Sequence, residues 1–145
     1  SDVVDIAEIE AMVNRILKDH FPGMPQVHIE PGRAVIGDAG VFVTSVIGKA
    51  ERGSENWLYI DVGVFNGLME SIGGIRYSYI VGSRAEKKRW VLAGPSCDSF
   101  DVIDRDVLLP EPVVGDHLLI PSAGAYTISY ASEFNGFPIP KTIII

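Results

Sequence analysis

A carboxylate and a guanidinium stand three residues apart in the run Glu30-Pro31-Gly32-Arg33. The Pro-Gly pair favours a turn, which holds the two charged residues close together. From the spacing alone, a surface salt bridge is the simpler interpretation. The alternative is an anion site, in which Arg33 and the backbone N–H of Gly32 face a phosphate.

A second polar segment, residues 94–101, follows an apolar stretch and contains the one cysteine of the chain, Cys97, beside Asp98. An adjacent acid does not activate a thiol, and the three histidines show no spacing typical of a metal site. We therefore predict no metal site. By composition alone, a buried structural cysteine is the favoured interpretation.

Two further segments carry aromatic residues among small or turn-forming ones. In residues 122–127, small side chains permit a close backbone approach, and the hydroxyl of Tyr126 can donate a hydrogen bond to a phosphate. A packed loop with a hydrogen-bonded tyrosine is the alternative. Residues 133–138 place Phe134 beside Asn-Gly, which indicates either a hairpin turn or an interface patch.

The bulk composition limits the partners of the chain. The formal net charge of the 145 residues is -7, which argues against binding nucleic acid or an anionic membrane and is compatible with a cationic substrate. No stretch reaches the roughly 18 apolar residues of a membrane span. The charged start has no secretory apolar region, and a single cysteine is typical of a reducing compartment. We predict a cytoplasmic protein.

The elements that must position these residues are mostly short strands. Residues 3–21 have the spacing of an amphipathic helix, capped by Asp2 or Asp5 and ended by Pro22-Gly23, and residues 26–29 predict a short strand. Residues 65–71 predict a short helix, and residues 124–130 a helix or a loop. Further strands are predicted at residues 41–47, 57–61, 77–81, 89–93, 117–121 and the apolar end 141–145. Short strands between turns favour a β-barrel or a sandwich.

Four segments, taken in order, resemble the ornithine/diaminopimelate/arginine decarboxylases: residues 29–33, 94–99, 124–127 and 129–137. These are fold-type III pyridoxal-phosphate (PLP) enzymes, and the resemblance is strongest to the bacterial ornithine/lysine type. It implies a mainly β chain. Residues 37–145 would form a C-terminal β-barrel or sandwich domain of the alanine racemase-like type. Residues 1–36 would be the last helix and strand of an incomplete (α/β)8 barrel.

The resemblance also implies which residues hold the cofactor. Glu30 would pair with the pyridine nitrogen of PLP, where a carboxylate keeps the ring protonated. Gly32 and Arg33 would bind the PLP phosphate, and the hydroxyl of Tyr126 would reach the same phosphate.

Other residues would serve the substrate across a homodimer with shared active sites. Cys97 and Asp98 match the pair that each subunit lends to its neighbour: the acid would hold the distal ammonium of the substrate, and the cysteine would govern protonation after CO2 departs. Phe134 matches an aromatic at the dimer-facing site. Glu70 would face the substrate amine or be a solvated carboxylate of the short helix.

The function that the resemblance implies is decarboxylation of a small basic amino acid, with ornithine yielding putrescine, a step of polyamine biosynthesis. Lysine or diaminopimelate as substrate, and a non-catalytic regulatory or binding domain, are the alternatives. The Schiff-base lysine of the family belongs to an N-terminal barrel part that the sequence lacks, since none of its five lysines has the required context. We therefore expect the isolated chain to be inactive.

Overall fold

The computed structural model describes residues 5–23, 25–82 and 84–145. The chain divides into two compact units, Ser1–Glu30 and Pro31–Ile145. The predicted domain boundary after residue 36 stays a prediction, because the two compact units are not the two domains that the resemblance implies.

The first unit contains helix α1, Ile6–His20, as the apolar periodicity predicts. The carboxylate of Asp5 caps it by accepting a hydrogen bond from the N–H of Ala7 at 3.0 Å. At the other end, the N–H of Phe21 donates to the carbonyl of Leu17. The alternative cap Asp2 and the predicted first residue of the helix, Val3, lie outside the described residues.

The second unit is built on one six-stranded sheet. Its strands are β1 (Phe42–Arg52), β2 (Glu55–Ile60), β3 (Ile80–Val81), β4 (Lys87–Ala93), β5 (Val102–Pro110) and β6 (His117–Ile120). They lie in the order β3-β6-β1-β2-β4-β5. The pair β2–β4 is parallel and the other pairs are antiparallel. The two edge strands, β3 and β5, contact each other, so the sheet is curled. The predicted mainly β fold is confirmed.

Alternation along the strands places one face of the sheet in the core. In β1, Phe42, Thr44 and Val46 are buried while Val43 is exposed, the period of two that a half-buried strand requires. The inward side chains of the other strands and of the following loops complete one cluster: Leu58, Ile60, Val62, Val64, Leu68, Trp90, Leu92, Ile103, Val107, Leu109, Leu118 and Ile120.

A few helices and turns complete the second unit. A short helix α2 spans Arg33–Ile36, and single turns of 3₁₀ helix span Gly37–Ala39, Met69–Ser71, Ile128–Tyr130 and Phe134–Gly136. The helix predicted at residues 65–71 is therefore wrong except for its last turn. The residues before Met69 form turns, since the N–H of Leu68 donates to the carbonyl of Gly63.

Several strand predictions are wrong for one shared reason: a strand needs a hydrogen-bonded neighbour. Residues 26–29 and the apolar end 141–145 form no strand, because nothing in the described part of the chain pairs with them. Of residues 77–81 only Ile80–Val81 is a strand, because only these two residues pair with β6. Strand β5 was missed, because its Asp-Arg-Asp centre conceals the apolar alternation.

Across residues 5–23, 25–82 and 84–145, no helix combines the length and the apolar character that crossing a bilayer requires. The same residues bring together no group of three His, Cys, Asp or Glu side chains suited to a metal ion.

Candidate functional site

Gly32 and Arg33 lie where the chain enters the second unit. Gly32 caps α2, and its carbonyl accepts a hydrogen bond from the N–H of Val35 at 3.0 Å. The helix continues into the 3₁₀ turn Gly37–Ala39. Arg33 is thus the first residue of a short, internally bonded turn, and its side chain is partly buried.

Backbone hydrogen bonds join the loop before Tyr126 to this turn. The N–H of Ala123 donates to the carbonyl of Gly40 at 2.9 Å, and the N–H of Gly124 donates to the carbonyl of Gly37 at 2.8 Å. A Cβ atom added to Gly124 would collide with the carbonyl oxygen of Ile36. The small residue here permits the close approach that the sequence predicts.

This contact brings Tyr126 against Gly32 and Arg33. The Tyr126 hydroxyl lies 2.6 Å from the point that a Cβ atom of residue 32 would occupy, so a larger residue there would displace this hydroxyl. The guanidinium carbon of Arg33 lies 5.9 Å from the centre of the Tyr126 ring. Tyr126 also has φ 55°, a conformation that is unusual for a non-glycine residue and is often found at functional sites.

Two further side chains approach the Arg33 guanidinium. Glu70, on the 3₁₀ turn Met69–Ser71, forms an ion pair with it through Oε2 and Nη2, and both of these atoms are shielded from solvent. The hydroxyl of Tyr77 is also buried. Burial raises the pKa of Tyr77, and the nearby positive charge of Arg33 opposes that rise. The salt-bridge interpretation of the first motif is thus wrong in its partner, because Arg33 pairs with Glu70.

The segment of Cys97 and Asp98 forms a closed loop after β4. The N–H of Gly94 donates to the carbonyl of Asp101 at 2.9 Å, and the N–H of Asp101 donates to the carbonyl of Asp98 at 3.0 Å. The Asp98 carboxylate accepts a hydrogen bond from the N–H of Phe100 at 2.8 Å. Cys97 is exposed, so the prediction of a buried cysteine is wrong: the loop turns its thiol outward.

Asp101 holds this loop from inside. Its carboxylate is buried and accepts three hydrogen bonds: from the N–H of Val64 at 2.7 Å, and from the N–H and hydroxyl of Ser96 at 2.9 and 2.6 Å. It lies against Gly63 and Gly94, where any Cβ atom would collide with it. Asp101 therefore fixes the loop of Cys97 and Asp98 to the turn that follows β2.

That turn, residues 62–71, connects the loop of Cys97 and Asp98 with the side chains around Arg33. At its start Phe65 packs on Phe134, with ring centres 4.3 Å apart. The carbonyl of Phe65 accepts a hydrogen bond from the N–H of Ser132 at 2.8 Å. Asn135, next to Phe134, places its amide nitrogen 3.9 Å from the Cys97 sulfur. At the end of the turn stands Glu70, the partner of Arg33.

The structure therefore assembles Gly32, Arg33, Glu70 and Tyr126 in one group, and Cys97, Asp98 and Phe134 in a second. Glu30 belongs to the first unit, where it is exposed. The donors of the first group are of the kind that a phosphate binds: a planar guanidinium and a phenolic hydroxyl.

The sequence assigns no role to three residues that lie beside these groups: Tyr77, Asp101 and Asn135. Asp101 and Asn135 lie within the recognised motifs, but their partners are distant along the chain. Tyr77 had been interpreted only as a strand residue. The sequence offers one signal, for Asp101: an acidic residue at the end of the turn-rich segment 94–101 favours a local hydrogen-bonded turn. This signal does not identify the partners of Asp101.

Comparison with known proteins gives one consistent result. Residues 3–124 match the family model described as "Pyridoxal-dependent decarboxylase, C-terminal sheet domain". The lysine/ornithine decarboxylase of Selenomonas ruminantium is 38% identical over 143 residues, covering 97% of this chain and 36% of that protein. A diaminopimelate decarboxylase of Methanothermobacter thermautotrophicus is 30% identical over 149 residues, covering 98% and 35%.

Solved structures agree with the sequences. A lysine/ornithine decarboxylase from Vibrio vulnificus, complexed with cadaverine, has a TM-score of 0.86 at 36% identity, covering 97% of this chain and 39% of that one. The same enzyme has been solved with putrescine. The chain spans little more than a third of the length of the curated relatives described above.

Proposed function

This chain belongs to the pyridoxal-dependent decarboxylase family, and we propose that it supplies the C-terminal sheet domain of a PLP-dependent enzyme that decarboxylates a basic amino acid in the cytoplasm. The observation that carries the proposal is the meeting of Gly32, Arg33 and Tyr126. Residues more than ninety positions apart bring a guanidinium and a phenolic hydroxyl together, two donors that a phosphate binds.

The residues of the first group would hold the PLP phosphate. The Arg33 guanidinium would supply charge-assisted donors, Tyr126 a hydroxyl, and Gly32 its backbone N–H. Glu30 would accept a hydrogen bond from the protonated pyridine nitrogen, as the family resemblance implies. When bound, the cofactor supplies a ring that accepts the electrons released as CO2 leaves.

The second group would act on the substrate. Cys97 is exposed and Asp98 is partly exposed, on a loop that Asp101 holds in place. We propose that this loop and Phe134 face the active site of a neighbouring subunit in a homodimer. The Asp98 carboxylate would hold the distal ammonium of the substrate, and the Cys97 sulfur would carry a proton toward the α-carbon.

Ornithine is the proposed substrate, with putrescine and CO2 as products. The short side chain of Asp98 suits a simple ammonium tail, whereas the diaminopimelate branch usually has glutamate there. Lysine is the nearest alternative, since relatives named lysine/ornithine decarboxylase match the chain. The predicted contact of Glu70 with the substrate amine stays a prediction, and its pair with Arg33 already engages that carboxylate.

The test is reconstitution with a separately produced N-terminal barrel part that carries the reactive lysine. With PLP present, we expect CO2 release from ornithine and lysine, and less from diaminopimelate. An Asp98→Glu chain should shift this preference toward diaminopimelate. If the two parts associate and no amino acid releases CO2, the enzyme proposal is wrong and a regulatory domain becomes the better account.

A further inference from the structure

The Arg33 side chain is restrained by Glu70 and by the ring of Tyr126. Its Nη2 atom pairs with Oε2 of Glu70 away from solvent. The ring of Tyr126 lies 5.9 Å from its guanidinium carbon. A free arginine samples many rotamers, and ordering one costs up to about 2 kcal/mol. Here that cost is met by the fold before any anion arrives.

We infer that Glu70 is a positioning residue, which fixes the Arg33 guanidinium so that its remaining N–H groups face the anion beside Gly32 and Tyr126. This inference rests on the proposed phosphate site. A guanidinium has five N–H donors in a rigid planar fork. Pairing at Nη2 therefore fixes the direction of the whole fork and leaves other donors available to a phosphate.

The element that carries Glu70 is itself well anchored. Leu68, just before the 3₁₀ turn, is fully buried, and its carbonyl accepts a hydrogen bond from the Ser71 hydroxyl at 2.7 Å. The N–H of Ile72 donates to the carbonyl of Met69 at 3.1 Å. The Glu70 carboxylate is thus presented to Arg33 by a short turn rooted in the core, as precise positioning of a binding group requires.

Charge complicates the role of Glu70. A carboxylate near a bound phosphate repels it, while the same carboxylate orients the arginine that attracts it. Replacement by glutamine and replacement by alanine both remove the charge. Glutamine keeps an oxygen that can accept from Nη2, whereas alanine removes the acceptor. The difference between Glu70→Gln and Glu70→Ala therefore isolates the positioning effect.

The experiment is NMR of the Arg33 side-chain nitrogens in the whole chain, first alone and then titrated with inorganic phosphate. In the wild type and in Glu70→Gln, we expect separate Nη signals from a guanidinium that rotates slowly. In Glu70→Ala, those signals should merge. Phosphate affinity in Glu70→Ala should be about fivefold below that in Glu70→Gln, since one more side chain must be ordered on binding. Thermal melting of each variant verifies that it is folded.

One control and two contradicting results distinguish the positioning role of Glu70 from the proposed phosphate site. Asp106→Ala removes an exposed partner of Arg89 and should leave the Arg33 signals unchanged. Equal Arg33 signals and equal phosphate affinity in Glu70→Ala and Glu70→Gln would overturn the positioning role of Glu70. If phosphate shifts no Arg33 signal even in the wild type, the proposed phosphate site is wrong, while the signals without phosphate still decide the positioning.

Discussion

The carboxylate of Asp101 accepts a hydrogen bond from the backbone N–H of Val64, 37 residues earlier in the chain, at 2.7 Å. Both residues are buried. Together with the two hydrogen bonds from Ser96, this contact joins the loop of Cys97 and Asp98 to the turn that presents Glu70. A single buried side chain thus links the loop of Cys97 and Asp98 to the turn that carries Glu70.

Replacing Asp101 with alanine should lower the free energy of unfolding by about 3 kcal/mol, because buried N–H donors of Val64 and Ser96 lose their acceptor. Chemical denaturation measures this. Asp106→Ala, at an exposed ion pair, is the matched control and should change stability by about 0.5 kcal/mol or less. Equal effects of the two substitutions would show that Asp101 does not hold the loop.

Gly124→Ala should separate the Tyr126 loop from the turn of Arg33. The added Cβ atom would collide with backbone carbonyls, and relieving that overlap costs about 1–3 kcal/mol. Gly82→Ala is the control, since nothing lies within 4 Å of its Cβ position. We expect the denaturation midpoint and the NMR signals of the Tyr126 ring to change in the first variant and not in the second. A Gly124→Ala chain as stable as the wild type would contradict the close approach.

The sequence predicts the parts of this molecule that depend on local pattern or on ordered motifs. Helix α1 follows from apolar spacing and an Asp5 cap, and β1 follows from its β-branched run. The pair of Arg33 with Glu70 does not follow, because it depends on how a turn packs after the sheet has formed. The exposure of Cys97 likewise depends on Asp101 reaching Val64, a contact between distant segments.

Alkaline pH should destabilise the chain partly through Tyr79. Burial, with a smaller contribution from the negative charge of Asp104, raises the pKa of Tyr79 above its ordinary value of 10.0. Because the folded state holds this proton more tightly, its contribution to stability is complete below pH 10 and is lost as the pH rises through the folded pKa. Tyr79→Phe should weaken this alkaline loss in unfolding measurements between pH 9 and pH 11. An identical pH slope in both proteins would contradict the prediction.

The rings of Phe65 and Phe134 should be energetically coupled. A packed aromatic pair contributes about 0.5–1.5 kcal/mol beyond the area that it buries. A double-mutant cycle with Phe65→Ala and Phe134→Ala should therefore give a coupling energy of about 1 kcal/mol. Additive effects of the two substitutions would show that Phe134 is held by its own backbone and not by Phe65.

The measurement that tests the central claim most directly is CO2 release from ornithine by reconstituted dimers that mix two variants. Arg33→Ala removes a phosphate ligand, and Asp98→Ala removes a substrate ligand. If the two groups of one chain serve different active sites, each variant alone should be nearly inactive. An equal mixture should then recover about a quarter of the wild-type rate, since half of randomly paired dimers contain one intact site. A mixture as inactive as its parents, despite exchange of subunits, would contradict the account.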